Sequence, residues 1–182
     1  QIGSEVCRMR RIDSEIPIRK SISGDIYVST DFMILTQKQH GIDVSMRAAV
    51  KTASGNDYAT ARYYDNAGYF FDAATSRTFT ITPKRSEFSL SASGGFLCWQ
   101  TDNGRQNDAV MYGLRASYRY RGLSFSSEYS GYVGWEKDGD APMTLKTSLS
   151  GKIGDIVLSI GHQIGFRDWP FHQLRIGCAI NL

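Results

Sequence analysis

Apolar and polar side chains alternate along most of this chain with a period of two. From Ser21 onward, Ile22, Ile26, Val28, Phe32 and Ile34 share one phase, while Ser23, Asp25, Tyr27, Ser29 and Asp31 share the other. Successive side chains of an extended strand point to opposite faces, so this pattern predicts a strand between two unlike environments. It returns over 42–50, 88–98, 110–120, 123–135, 143–153, 156–166 and 174–182. Turn signals punctuate the segments: Asp102-Asn103-Gly104, Arg121-Gly122, Lys137-Asp138-Gly139-Asp140 and Gly154-Asp155. Residues 52–83 are less regular. A strand over Tyr58–Tyr64 and another over Tyr69–Thr82, stopped by Pro83, account for them. Helical spacing is confined to Ser4–Arg11, where Arg8, Arg10 and Arg11 leave no apolar face.

In the regular segments the apolar phase carries no Asp, Glu, Lys or Arg, although charged residues make up 21% of the chain. The opposite phase holds the acids Asp25, Asp31, Asp43 and Glu128. It also holds the bases Arg47, Lys51, Arg115, Arg119, Arg121, Lys146, Lys152, Arg167 and Arg175. Alternation by itself does not say which phase faces inward. A soluble barrel or sandwich buries the apolar phase, whereas a membrane barrel turns it to lipid.

Three features favour lipid. The polar phase is built from Ser, Gly, Thr and Arg, whereas a soluble exterior carries more Lys and Glu. Many segments run roughly 10–14 residues, which brackets the ~9–11 that cross a bilayer. Phe32, Phe96, Tyr118, Tyr120, Trp135 and Phe166 lie near segment ends, where aromatic girdles sit. The expected lipid-facing set is Ile26, Val28, Phe32, Leu90, Leu114, Tyr118, Tyr120, Trp135, Leu145, Ile160 and Ile176. The thirteen charged residues above are then expected to line the lumen.

Composition narrows the classes. A chain of 182 residues fits one domain, and a net charge of +3 is too balanced to mark a nucleic-acid binder. No apolar run approaches the ~20 residues of a membrane-spanning helix. The three cysteines, Cys7, Cys98 and Cys178, are widely spaced, with no CxxC and no Cys/His cluster, so neither a disulfide framework nor a structural metal is expected. Cys98 and Cys178 fall on the apolar phase and are expected to touch lipid. The start at Gln1, without Met, fits an exported protein whose signal has been removed.

Over residues 20–182 the pattern resembles the small outer-membrane β-barrel proteins of double-membraned bacteria. Leu174–Leu182 is similar to the closing strand of that family, which usually ends in an aromatic residue; here the end is Leu182. The resemblance implies an all-β fold: a closed, antiparallel, up-and-down transmembrane β-barrel. Bacterial barrels use even strand numbers. Ten strands follow if Tyr58–Tyr64 and Tyr69–Thr82 both count, eight if 53–86 is one connector, and structureless connectors of that length are rare. The expected organisation is a basic periplasmic lead-in over 1–17 and a barrel over 18–182. Turns at 83–87, 121–122 and 154–155 are then periplasmic, and loops at 101–108, 136–142 and 167–171 extracellular.

No Walker loop, GxGxxG, HExxH or GxSxG is present, and no cofactor or metal site is expected. Ser159, His162, Asp168 and His172 gather near one rim, where outer-membrane hydrolases carry Ser/His or Asp/His pairs. Ser159 and His162 fall on opposite phases, however, and Asp168 and His172 flank a turn. On the lumen side, nine cations face four anions, which favours anions if water fills the interior. In so narrow a barrel, side chains can instead fill the interior as a polar, ion-paired core, with excess positive charge at the two mouths. The expected function is non-enzymatic: an outer-membrane barrel serving the cell envelope structurally or as an accessory, surrounded by membrane lipid. Protein partners would meet its wall or periplasmic face, and no nucleic acid is involved. The alternatives are a narrow anion-preferring pore, a lipid-modifying enzyme of the outer membrane, and a soluble lipocalin-like ligand-binding barrel.

Overall fold

A computed structural model of the chain describes residues 25–55, 67–83, 85–100, 106–135, 140–168, 170 and 172–180. Among these residues the fold is all-β, apart from one helical turn. The strands are β1 (Tyr27–Leu35), β2 (Asp43–Lys51), β3 (Gly68–Thr82), β4 (Ser86–Gln100), β5 (Gln106–Tyr120), β6 (Leu123–Gly134), β7 (Met143–Ile153), β8 (Ile156–Arg167) and β9 (His172–Ile180). They form one sheet in the order β1 to β9, each strand antiparallel to its sequence neighbour. No pairing joins β1 to β9 among the described residues.

The described strands number nine where ten were expected. The strand expected over Tyr58–Tyr64 lies outside the described residues. The direct pairing of β2 with β3, from Lys51 opposite Gly68 to Asp43 opposite Ser76, leaves no place for it between them. Residues 1–17 also lie outside the described residues. Asp25 sits at the end of the sheet that carries the 52–67 connection, because Tyr27 opposes Lys51. Ile180, opposite Ile156, lies at the other end.

Local chemistry sets the turns. Arg121 and Gly122 both have positive φ, 45° and 89°, the geometry of a two-residue hairpin whose twist matches the flanking strands. The β1–β2 connection holds a helical turn, α1 (Gln37–His40), ended by Gly41 at φ 80°. The Gln37 side chain pins it to β3, donating to the Thr78 carbonyl and accepting from the Thr78 N–H, both at 2.7 Å.

The burial of the two phases is the feature that positions everything else. Along most of β3 and β8, the apolar phase is exposed and the polar phase is half-buried or buried. Ile26, Leu114 and Ile160 are 46%, 60% and 49% exposed. Apart from Leu97, the buried residues are small or polar, among them Ala49, Ala109, Asp25, Lys51 and Gln163. No cluster of large aliphatic side chains forms a core among the described residues.

Candidate functional site

The register turns the polar phase into straight rows across the sheet. One row runs Asp43, Ser76, Ser91, Arg115, Glu128, Lys146, Gln163 and Gln173 from β2 to β9. A second runs Asp31, Arg47, Asp72, Gly95, Met111 and Tyr132. Where charges meet directly across strands they alternate in sign, Asp31–Arg47–Asp72 and Arg115–Glu128–Lys146, as cross-strand pairs require. A third row is made largely of hydroxyls: Thr78 and Ser89 bond at 2.8 Å, and Ser126 and Ser148 at 2.8 Å.

At least four of the nine expected lumen cations stand within 3.6 Å of a carboxylate. Arg47 contacts Asp72 Oδ2 through Nη2 at 2.7 Å and Nε at 2.8 Å. Lys146 lies 3.6 Å from Glu128, and Arg119 3.1 Å from Glu87. Lys51 and Asp25 form an ion pair in which each side chain is only 2% exposed. Asp25 Oδ1 also accepts from the N–H groups of Ser54, at 3.0 Å, and Gly55, at 2.7 Å. Those extra donors offset the cost of taking two charges out of water.

The remaining expected lumen residues have other roles. Arg175 donates to Gln173 Oε1 through Nε and Nη2, at 3.2 and 3.0 Å. Arg167 stands 4.0 Å from Asp168. Arg121 occupies the hairpin turn, its guanidinium 5.4 Å from the centre of the Tyr120 ring. Lys152 is exposed near the same end of the sheet. Asp43 accepts from the backbone N–H of Gln37 at 2.6 Å and so caps the α1 turn. Asp31 faces Arg47 in register, and Arg115 faces Glu128.

Two concavities accompany these rows. On the polar side, a cavity of about 410 Å³ is lined by Arg47, Asp72, Met111, Glu128, Tyr132 and Lys146, drawn from β2 to β7. Lining by so many strands means that the polar face is concave. On the apolar side a groove of about 470 Å³ passes over the small Ala92 and Ala116, between Leu90, Leu114, Tyr129 and Leu145. Of the expected lipid-facing residues, Leu145 is half-buried in this groove and the other ten are exposed.

The rim cluster divides. His162 and His172 meet, Nε2 to Nδ1 at 3.4 Å with rings nearly parallel at 15°. Ser159 is on the opposite face, in register with Gly177. Asp168 turns away to accept from the Ala141 N–H at 2.7 Å, tying the β6–β7 connection to the β8–β9 connection. The cluster therefore offers two imidazoles with no serine or carboxylate from this set beside them. Among the described residues no group of three or more His, Cys, Asp or Glu converges on a point.

Sequence reasoning missed Asp72 and Glu87. Carrying the alternation of 42–50 into 69–82, with Tyr69, Phe71 and Ala73 as the apolar phase, would have exposed Asp72 on the charged side. The charge-free apolar phase also has exceptions in the longer strands: Arg77 of β3, its guanidinium 5.1 Å from the centre of the Phe79 ring, and Asp108 of β5. Of the two apolar-phase cysteines, Cys178 is exposed and Cys98 is buried beside Asp108 in the register.

Comparison with protein-family models, with curated proteins and with solved structures returns no match.

Proposed function

We propose that this chain is a small barrel of the outer membrane of a double-membraned bacterium, acting without catalysis as a structural or accessory part of the cell envelope. The observation that carries this reading is the exposure of the apolar phase together with the burial of the Asp25–Lys51 pair and of small residues on the polar phase. Large apolar side chains are exposed along every strand from β1 to β9, at Phe32, Met46, Phe71, Leu90, Leu114, Phe125, Leu149, Ile160 and Ile176. Exposed apolar area on this scale is far beyond what a soluble monomer carries, and lipid is the solvent that suits it. The same exposures weigh against a lipocalin-like barrel, which needs these side chains inside.

The stagger of the strands supports a closed cylinder. The register from Gly161, near the middle of β8, passes Ser148 and Ser126 to Ser117, four residues beyond Gly113 at the midpoint of β5. Strands of a barrel tilt against their hydrogen-bonded rows in this sense. Because the described strands are nine and alternate in direction, β1 and β9 run the same way. The cylinder closes either through a parallel seam or through one more strand between them.

An ion-paired interior suits the geometry better than an anion path. Arg47, Lys51, Arg119 and Lys146 each have a carboxylate, and Arg121, Lys152 and Arg167 lie at strand ends, where water reaches them.

The test is accessibility of spin labels on single cysteines, placed at Leu114 or Ile160 and at Ser126 or Ser148, with the protein folded in phospholipid bilayers. Labels at the first pair collide with dissolved oxygen and are shielded from a water-soluble nickel reagent; labels at the second pair are not oxygen-exposed in this way. Shielding of all four from oxygen, or a protein monodisperse without detergent, overturns the reading.

A further inference from the structure

We infer that His162 and His172 form a binding site for a divalent transition metal, with Zn²⁺ the best match. The inference stands on the histidine geometry; the pair shares the apolar phase of β8 and β9 with Ile160, Ile164 and Leu174, at the side nearer the 168–171 connection. β8 and β9 are joined in register from Ile156 opposite Ile180 to Ile164 opposite His172, with Gln163 opposite Gln173. That pairing sets His162 and His172 diagonally across one face, and both are exposed. Their ring centres are 5.5 Å apart, with His162 Nε2 and His172 Nδ1 separated by 3.4 Å.

The separation is informative. Zn²⁺ holds imidazole nitrogens at about 2.0–2.1 Å in a tetrahedron, which puts two such nitrogens roughly 3.3–3.4 Å apart. The two nitrogens already stand at that spacing on two strands locked by backbone hydrogen bonds, so little ordering cost remains when a metal arrives. Metal binding uses the lone pairs of both nitrogens, with each ring's N–H placed on its other nitrogen.

The neighbours select the ion. The residues around the pair on this face are Thr147, Ile160, Ile164 and Leu174, with no carboxylate among them. Hard ions such as Ca²⁺ and Mg²⁺ favour sites built on carboxylates, and these neighbours supply none. Neutral imidazoles suit Zn²⁺, Cu²⁺, Ni²⁺ and Co²⁺, with water completing the coordination. A metal bound here clasps β8 to β9 next to the 168–171 connection and stabilises the folded hairpin by mass action.

The experiment titrates Co²⁺, a spectroscopic substitute for Zn²⁺, into the folded, detergent-solubilised full chain carrying no histidine tag, followed by displacement with Zn²⁺. The expected result is one Co²⁺ per chain with ligand-field bands distinct from those of aqueous Co²⁺, no thiolate charge-transfer band, and loss of that signal on adding Zn²⁺. H162A and H172A each weaken binding by at least the roughly 10–100-fold seen when a mere supporting partner is lost. H40A leaves it unchanged. H162Q and H172Q, which keep a polar side chain at each position, lose the metal in the same way even where an alanine variant fails to fold. Absence of binding overturns the inference. So does binding that survives all four substitutions at 162 and 172, or a thiolate band that places the metal on a cysteine.

Discussion

Arg47 of β2 and Asp72 of β3 face each other in register, and two guanidinium nitrogens converge on one carboxylate oxygen at 2.7 and 2.8 Å. Asp72 is the more enclosed partner, with 12% of its side chain exposed against 41% for Arg47. The pair lies at the wall of the polar cavity, so it joins strand register to the shape of the concave face.

Replacing one member tests how far that pair holds the sheet. Because the arginine remains partly solvated, D72N is expected to cost only about 1 kcal/mol. In a double-mutant cycle of R47Q and D72N, the coupling energy should be about 0.5–1 kcal/mol, measured by denaturant unfolding in micelles. A coupling of zero would show that the contact is incidental to stability.

The Asp25–Lys51 pair should behave differently, because both side chains are withdrawn from solvent. D25A takes the carboxylate away from the buried Lys51 ammonium and from the N–H groups of Ser54 and Gly55. The expected loss is about 3–5 kcal/mol, several times that of D72N. Removing both charges, as in D25L with K51M, should be milder than either single change, and comparing unfolding midpoints of the three variants checks this.

Gly95 stands in the charged row between Asp72 and Met111. A Cβ there would overlap the Phe71 carbonyl and lie 2.7 Å from Asp72 Cα. Since that obstruction is backbone, G95A is expected to destabilise by about 1–3 kcal/mol through overpacking. G94A, whose new methyl would meet only Met111 O at 3.9 Å, should be far milder in the same unfolding assay.

A charge on the apolar phase probes the proposed lipid face. L114K and I160K should each cost about 2–4 kcal/mol when the protein folds into vesicles, the penalty for Lys at mid-bilayer on a barrel wall. E128Q, on the opposite phase, should fold into the same vesicles with a much smaller change. Equal tolerance of L114K and E128Q would remove lipid as the solvent of that face.

Cysteine chemistry separates Cys98 from Cys178, which the alternation had treated alike. With Cys7 replaced by Ser, Cys178 should react with a membrane-permeant maleimide under native conditions, while buried Cys98 reacts only on unfolding. Mass spectrometry of the labelled chain counts the adducts.

The last hairpin shows how much of the candidate chemistry could be read in advance. Ser159, His162, Asp168 and His172 are close in sequence, and alternation alone assigned Ser159 and His162 to opposite sides. What alternation could not supply was the register of β9 against β8, which brings His172 diagonally to His162, or the acceptance by Asp168 of a hydrogen bond from Ala141, 27 residues upstream. The charged face was partly legible in the same way: Glu128 opposite Arg115 follows from a two-residue turn at Arg121-Gly122. The pairing of Arg47 with Asp72 depends on where β3 lies against β2, and no local rule fixes that.

The sequence by itself determined the strands and the division of each into an apolar and a polar side, because the period of two is a property of the extended backbone and needs no partner. Tertiary structure decided which side is concave, which strands are neighbours around 52–67, and which charges meet. Those outcomes depend on twist, stagger and pairing accumulated across nine strands. A one-residue slip in any ladder would turn that strand's side chains to the other face, so the rows of ion pairs and hydroxyls exist only once the whole register is set.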